Sequence, residues 1–185
     1  VILTSSGGIS QSGSAFINGS LLTTNSASGT VLGNANTVGS FNATNTSSGA
    51  VTLINTIGTL SVTGISQSGA GNVTVTNTGA MTTSASIGSN GGDVFLTTLS
   101  PDANERVLTI NGNITTNGGS ASLTAANNSI GDATALVVNN PVNTGPGTGG
   151  TLIIGGGMAL NASPIVGAGN LTVDGNGLDI TVGTV

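Results

Sequence analysis

Six carboxylates and one guanidinium are all the side-chain charge in this chain, and three of these groups fall in one stretch, Pro101-Asp102-Ala103-Asn104-Glu105-Arg106. Asp102, Glu105 and Arg106 are therefore the first residues to test for acid–base chemistry. Cleaving a polysaccharide by that route needs carboxylates that converge on one groove. Three charges within five residues instead share one turn, and the segment reads as a solvated loop. Nucleophilic catalysis by Ser or Thr needs an adjacent base, and the sequence has no His, no Cys and no Lys. The expectation is a non-catalytic protein that carries no cofactor.

A hard cation is the next possibility. Asp174-Gly175-Asn176-Gly177-Leu178-Asp179 places oxygen ligands among glycines, which makes Asp174, Asn176 and Asp179 the candidate calcium site. The segment resembles a fragment of the glycine- and aspartate-rich calcium repeats of secreted toxins. Those sites draw ligands from successive turns, whereas a single copy also serves as a Gly/Asn corner. Threonine pairs (Thr44/Thr46, Thr74/Thr76 and Thr115/Thr116) raise ice binding, which requires a flat, regular array of hydroxyls and methyls. Their positions drift along the sequence, so ordinary solvent-facing strand threonine is expected. Asn-X-Ser/Thr sequons are present, including those at Asn18, Asn42, Asn72, Asn113 and Asn170, as a composition this rich in Asn, Ser and Thr produces by chance.

The elements that position these groups follow from composition. The chain has 185 residues, a net charge of -5 and 32 glycines, and Gly, Ser, Thr and Asn supply more than half of it. One basic residue cannot neutralise a row of phosphates, so nucleic acid is excluded as a partner. No apolar stretch approaches the roughly 20 residues that cross a bilayer as a helix, and membrane insertion is not expected. Hydrophobic residues reach 36% with a mean hydropathy of +0.34. That is too apolar for a disordered linker, and the short Val, Ile, Leu and Ala runs read as strands.

The strands repeat. Gly19-Ser20-Leu21, Gly39-Ser40-Phe41, Gly58-Thr59-Leu60 and Gly79-Ala80-Met81 recur at steps of 19 to 21 residues, alongside a second set at Val31, Val51, Val73 and Val94. A unit of about 20 residues cannot close its own core, but a stack of units can. The reading is all-β: one right-handed parallel β-helix over residues 1–185, with about 20 residues per coil. Leu21, Phe41, Leu60 and Met81 are expected in one interior column, and Val31, Val51, Val73 and Val94 in another. Loop insertions are expected near 101–106 and 139–150. Asn25 and Asn45, one step apart, are candidates either for an amide ladder or for independent turns. An antiparallel sandwich is the rival fold.

Gly8-Ile9-Ser10-Gln11-Ser12-Gly13 returns as Gly64-Ile65-Ser66-Gln67-Ser68-Gly69, followed by Gly71-Asn72-Val73-Thr74-Val75-Thr76-Asn77. With Gly58-Thr59-Leu60-Ser61-Val62-Thr63, these repeats resemble the shafts of filamentous-haemagglutinin-type bacterial surface adhesins secreted by the two-partner route. The resemblance covers chiefly residues 7–100. It implies a right-handed parallel β-helix, export to the cell surface or beyond, and a role in attachment or cell contact. The Asn-Pro-Asn motifs of that family's secretion domain do not occur here, which implies a shaft segment.

Strand-like residues at both ends, with no capping helix and no charged gatekeepers, suggest a piece cut from something longer. The expected partner is therefore the chain itself, head-to-tail, as the next repeat or the next subunit. Surface glycans or other cells are further expected partners, through the loops at 101–106 and 139–147. The competing functional classes are a β-helix carbohydrate-binding or polysaccharide-processing protein and an ice-binding solenoid.

Overall fold

Alternation of apolar with hydroxylated residues dictates strands with one dry and one wet face, and here it does so on every well-described coil. In Val73–Thr83 each inward residue is buried and each outward one half-buried. The computed structural model describes residues 1–99, 107–125 and 136–145, together with the backbone strands Leu152–Gly155, Met158–Leu160, Val166–Gly167, Leu171–Asp174 and Ile180–Val182. No helix occurs among the described residues. The strand pairings are parallel, each strand lying against its counterpart in the next coil, as when Val51 pairs with Val73 and Val73 with Val94. The chain is a parallel β-solenoid, and the antiparallel rival is excluded.

Each coil has three sides, one more than the two strands read from the repeat. In Val51–Gln67 the chain passes along all three without leaving strand geometry. Its sides hold Val51 and Leu53, then Leu60 and Val62, then Ile65 and Gln67, all buried. The register breaks between Thr56 and Thr59, and against the preceding coil between Phe41 and Ala43, mark the bends. Such irregularities sharpen local twist and let a strand turn a corner.

The interior columns are close to expectation on one side and displaced on another. Val51, Val73 and Val94 stack as expected, with Ala121 next in the same column, but the residue above Val51 is Thr30 and not Val31. Val31 pairs with Thr52 and is 47% exposed. Leu21 likewise faces water, while Leu22 stacks on Phe41. Phe41 in turn stacks on Val62, leaving Leu60 over Met81 in a neighbouring column. A shift of one residue reverses the face of every side chain in a strand. Both misplaced residues belong to adjacent apolar pairs, Leu21-Leu22 and Val31-Leu32, where alternation gives no phase.

From Ile9 to Val94 the first column advances by 21 or 22 residues per coil through Thr30, Val51 and Val73. The steps then lengthen to 27 at Ala121 and 31 at Leu152. The added length falls mainly on one corner. Val75 and Met81 are six residues apart, but Leu96 and Leu108 are twelve apart and Leu123 and Leu136 thirteen. The loop expected at 101–106 lies outside the described residues. The other expected loop needs correction. Val142–Gly145 is a strand, paired in parallel with Ile114–Thr115, and Val142 is buried. Pro141 misled the sequence reading because it sits just before the strand, where a missing N–H costs no ladder bond. Its carbonyl still accepts from Ile114 N at 3.0 Å.

Candidate functional site

Polar side chains buried inside the stack are the first feature needing an explanation, since an unpaired one costs roughly 1–3 kcal/mol. At the corner between the first and second sides, Asn36, Asn55, Asn77 and Thr98 stand in register on successive coils, all buried. Asn55 Nδ2 donates to Asn77 Oδ1 at 2.9 Å and to the Val38 carbonyl at 3.1 Å. Asn55 Oδ1 accepts from Val38 N at 2.9 Å. One coil along, Asn77 repeats this on Ile57, donating to its carbonyl at 3.0 Å and accepting from its N–H at 3.3 Å. Asn36 Oδ1 accepts from Ile17 N at 2.9 Å and from Gln11 Nε2 at 2.6 Å. Each amide thus closes the corner of the coil before it.

A second ladder lies at the end of the third side. Asn45 Nδ2 donates to Gln67 Oε1 at 2.7 Å, and Asn45 Oδ1 accepts from Gly29 N at 2.9 Å. Gln67 Nε2 donates to the Gly49 carbonyl. Below these, Thr116 Oγ1 donates to the Gly119 carbonyl, so the same place in a later coil is held by a hydroxyl. Asn25 and Asn45 were candidates for an amide ladder or for independent turns, and they do not pair with each other. Asn25 instead pairs with Thr44 on the outer face, and Ser26 stands opposite Asn45. The physical reason is again a one-residue difference in phase. Asn36, Asn55 and Asn77 escaped the sequence reading, although their intervals of 19 and 22 residues match the coil.

Among the described residues the carboxylates do not cluster. Asp93 is the one carboxylate among the residues whose side chains are described, and its Oδ1 accepts from Ser120 N at 2.7 Å. In the preceding coil Asn72 does the same, accepting from Asp93 N at 2.9 Å. Asp102, Glu105 and Arg106 lie outside the described residues. Of the calcium candidates, Asp174 ends a strand paired with Leu152–Gly155, while Asn176 and Asp179 lie outside the described residues. No cluster of three His, Cys, Asp or Glu side chains occurs among the described residues.

The threonines are more ordered than their sequence spacing suggests. Thr52 pairs with Thr74, Thr56 with Thr78, and Thr76 with Thr97, which pairs in turn with Thr124. The apparent drift came from uneven corner lengths. The resulting grid is interrupted by Ile54 beside Thr76, Phe95 beside Thr74 and Leu99 beside Thr78. Of the other pairs, Thr115 faces out and Thr116 is buried, as consecutive residues of a strand must be.

The outer face of the third side carries the remaining feature. Asn42, Thr44, Gly64, Ser66, Ser86 and Gly88 line a shallow open trough of about 340 Å³ that crosses three coils. No known protein family matches the sequence, and neither curated proteins nor solved structures show a significant match to the chain.

Proposed function

We propose that this chain is a non-catalytic structural rod segment of the bacterial cell surface or extracellular space, built for attachment or contact. The observation that carries this reading is where the buried polar groups are used. Asn36, Asn55, Asn77, Asn45 and Gln67 bond to the neighbouring coil, and Asp93 does the same at the third corner. Such a pattern serves axial continuity, in which each coil completes the hydrogen bonding of the one before it.

Head-to-tail extension belongs to this reading, since a coil whose corner groups are closed by its neighbour is continued by another coil, from the same polypeptide or from another copy. Incubation of the protein with acidic and neutral polysaccharides, with reducing ends counted, tests the absence of catalysis. No release above the buffer control is expected, and turnover lost on Asp102→Asn or Glu105→Gln contradicts it.

A further inference from the structure

Thr44, Ser66, Gly88 and Thr115 follow one another in register on the outer face of the third side. Gly88 is thus a gap in a column of hydroxyl residues. Neither packing nor backbone requires the gap: its φ is not positive, and a Cβ there would meet nothing nearer than the Ile65 carbonyl oxygen at 4.0 Å. Gly64, by contrast, has a φ of +132° and needs to be glycine for its backbone alone. The missing side chain at Gly88 is what deepens the trough.

The groups around the trough are unspent. Thr44, Ser66 and Ser86 hydroxyls make no hydrogen bond among the described residues. Asn42 uses its Nδ2 on the Thr63 carbonyl at 3.2 Å, which leaves Oδ1 free to accept. Three hydroxyls and an amide oxygen therefore surround a floor formed by Ala43 and Ile65, both buried. No charged side chain lines it. The volume stands at the lower end of the roughly 300–1,000 Å³ of small-molecule sites. Donors and acceptors side by side, without charge, select a neutral polyhydroxylated ligand over an anion, which would lack a cation to meet it.

We propose that this trough seats one neutral pyranose unit of a glycan. The proposal rests on the non-catalytic reading above and gives the rod a contact point on its side. With no aromatic ring at the site, single-unit affinity is weak, about millimolar, and attachment then depends on many rods or many sites acting together.

Backbone amide NMR of the folded chain tests it, using methyl glucoside, methyl galactoside, methyl mannoside and lactose as probes and glucuronate as the charged control. At least one neutral probe is expected to give saturable shifts at the amides of Gly64, Ser66 and Gly88, with glucuronate weaker. Gly88→Leu should weaken binding by about tenfold or more with an unchanged melting curve, and Ser66→Ala should weaken it several-fold should the leucine variant misfold. The proposal is overturned by no saturable shift at those amides with any neutral probe, or by variants that bind like the parent. Either result leaves the rod reading intact, whereas new reducing ends from lactose would sink the non-catalytic reading and leave trough binding standing.

Discussion

Asn55 and Asn77 are 22 residues apart in sequence and one coil apart in space, and the amide of the first donates to the carbonyl oxygen of the second at 2.9 Å. Both are fully buried, and each also bonds in both directions to the backbone of the coil before it, at Val38 and Ile57. An amide suits this place because it offers donors and an acceptor on separate atoms without charge, so it can bond a backbone N–H and a backbone carbonyl at once.

Asn55→Ala removes three of these bonds at once and strands Val38 N and the Val38 carbonyl in the interior, while Asn77 Oδ1 keeps its bond from Ile57 N. The expected loss is about 3 kcal/mol. Denaturant unfolding followed by circular dichroism measures it, and a loss below about 1 kcal/mol would show that water replaces the amide freely.

Thr24 provides the opposite case. Its side chain stacks on Ala43 inside the third side, and its Oγ1 is the buried polar atom without a partner among the described residues. Thr24→Val keeps the shape and removes the unpaired hydroxyl. Stability is expected to rise by about 1 kcal/mol, read as a higher unfolding midpoint with an unchanged slope.

Two glycines at the first corner separate backbone need from chance composition. Gly79 has a φ of +137°, and a Cβ there would lie 1.8 Å from the Ile57 carbonyl oxygen. Gly79→Ala is expected to cost about 3 kcal/mol or more. Gly58 has open space around its Cβ position and no positive φ, so Gly58→Ala should be neutral or gain up to about 1 kcal/mol. Paired thermal melts of the two variants check the contrast.

Much of the architecture was legible because the coil period is written in the strands themselves: Val51, Val73 and Val94 recur at that period and stack. Face assignment failed where two apolar residues adjoin, at Leu21-Leu22 and Val31-Leu32, because alternation is then silent and only stacking sets the phase. The ladders failed for a related reason. Asn36, Asn55 and Asn77 keep their register while the sequence interval changes from 19 to 22, since bulges absorb the difference. The trough was not legible at all. It depends on a side chain missing at Gly88, and among 32 glycines only coordinates show which ones lack a structural need for glycine and which of those faces the trough.

Threonine alignment gives a negative expectation. Ile54 and Leu99 stand out from the grid at 39% and 46% exposure, and Phe95 interrupts the column below Thr74. A surface broken in every column does not present a flat lattice to ice, and no thermal hysteresis is expected. Nanolitre osmometry on the purified chain provides the check; burst growth beyond a hysteresis gap would show that the hydroxyl rows alone suffice.

The central claim, a rod extended by coils stacking head-to-tail, is tested most directly by electron microscopy of the native material combined with the mass of its denatured chain. The account predicts long unbranched rods with an axial repeat of about 4.8 Å. A chain of 17.5 kDa in such rods means polymerised subunits, and a much heavier chain means a longer shaft. Native particles no longer than one segment, soluble and monomeric, would contradict it.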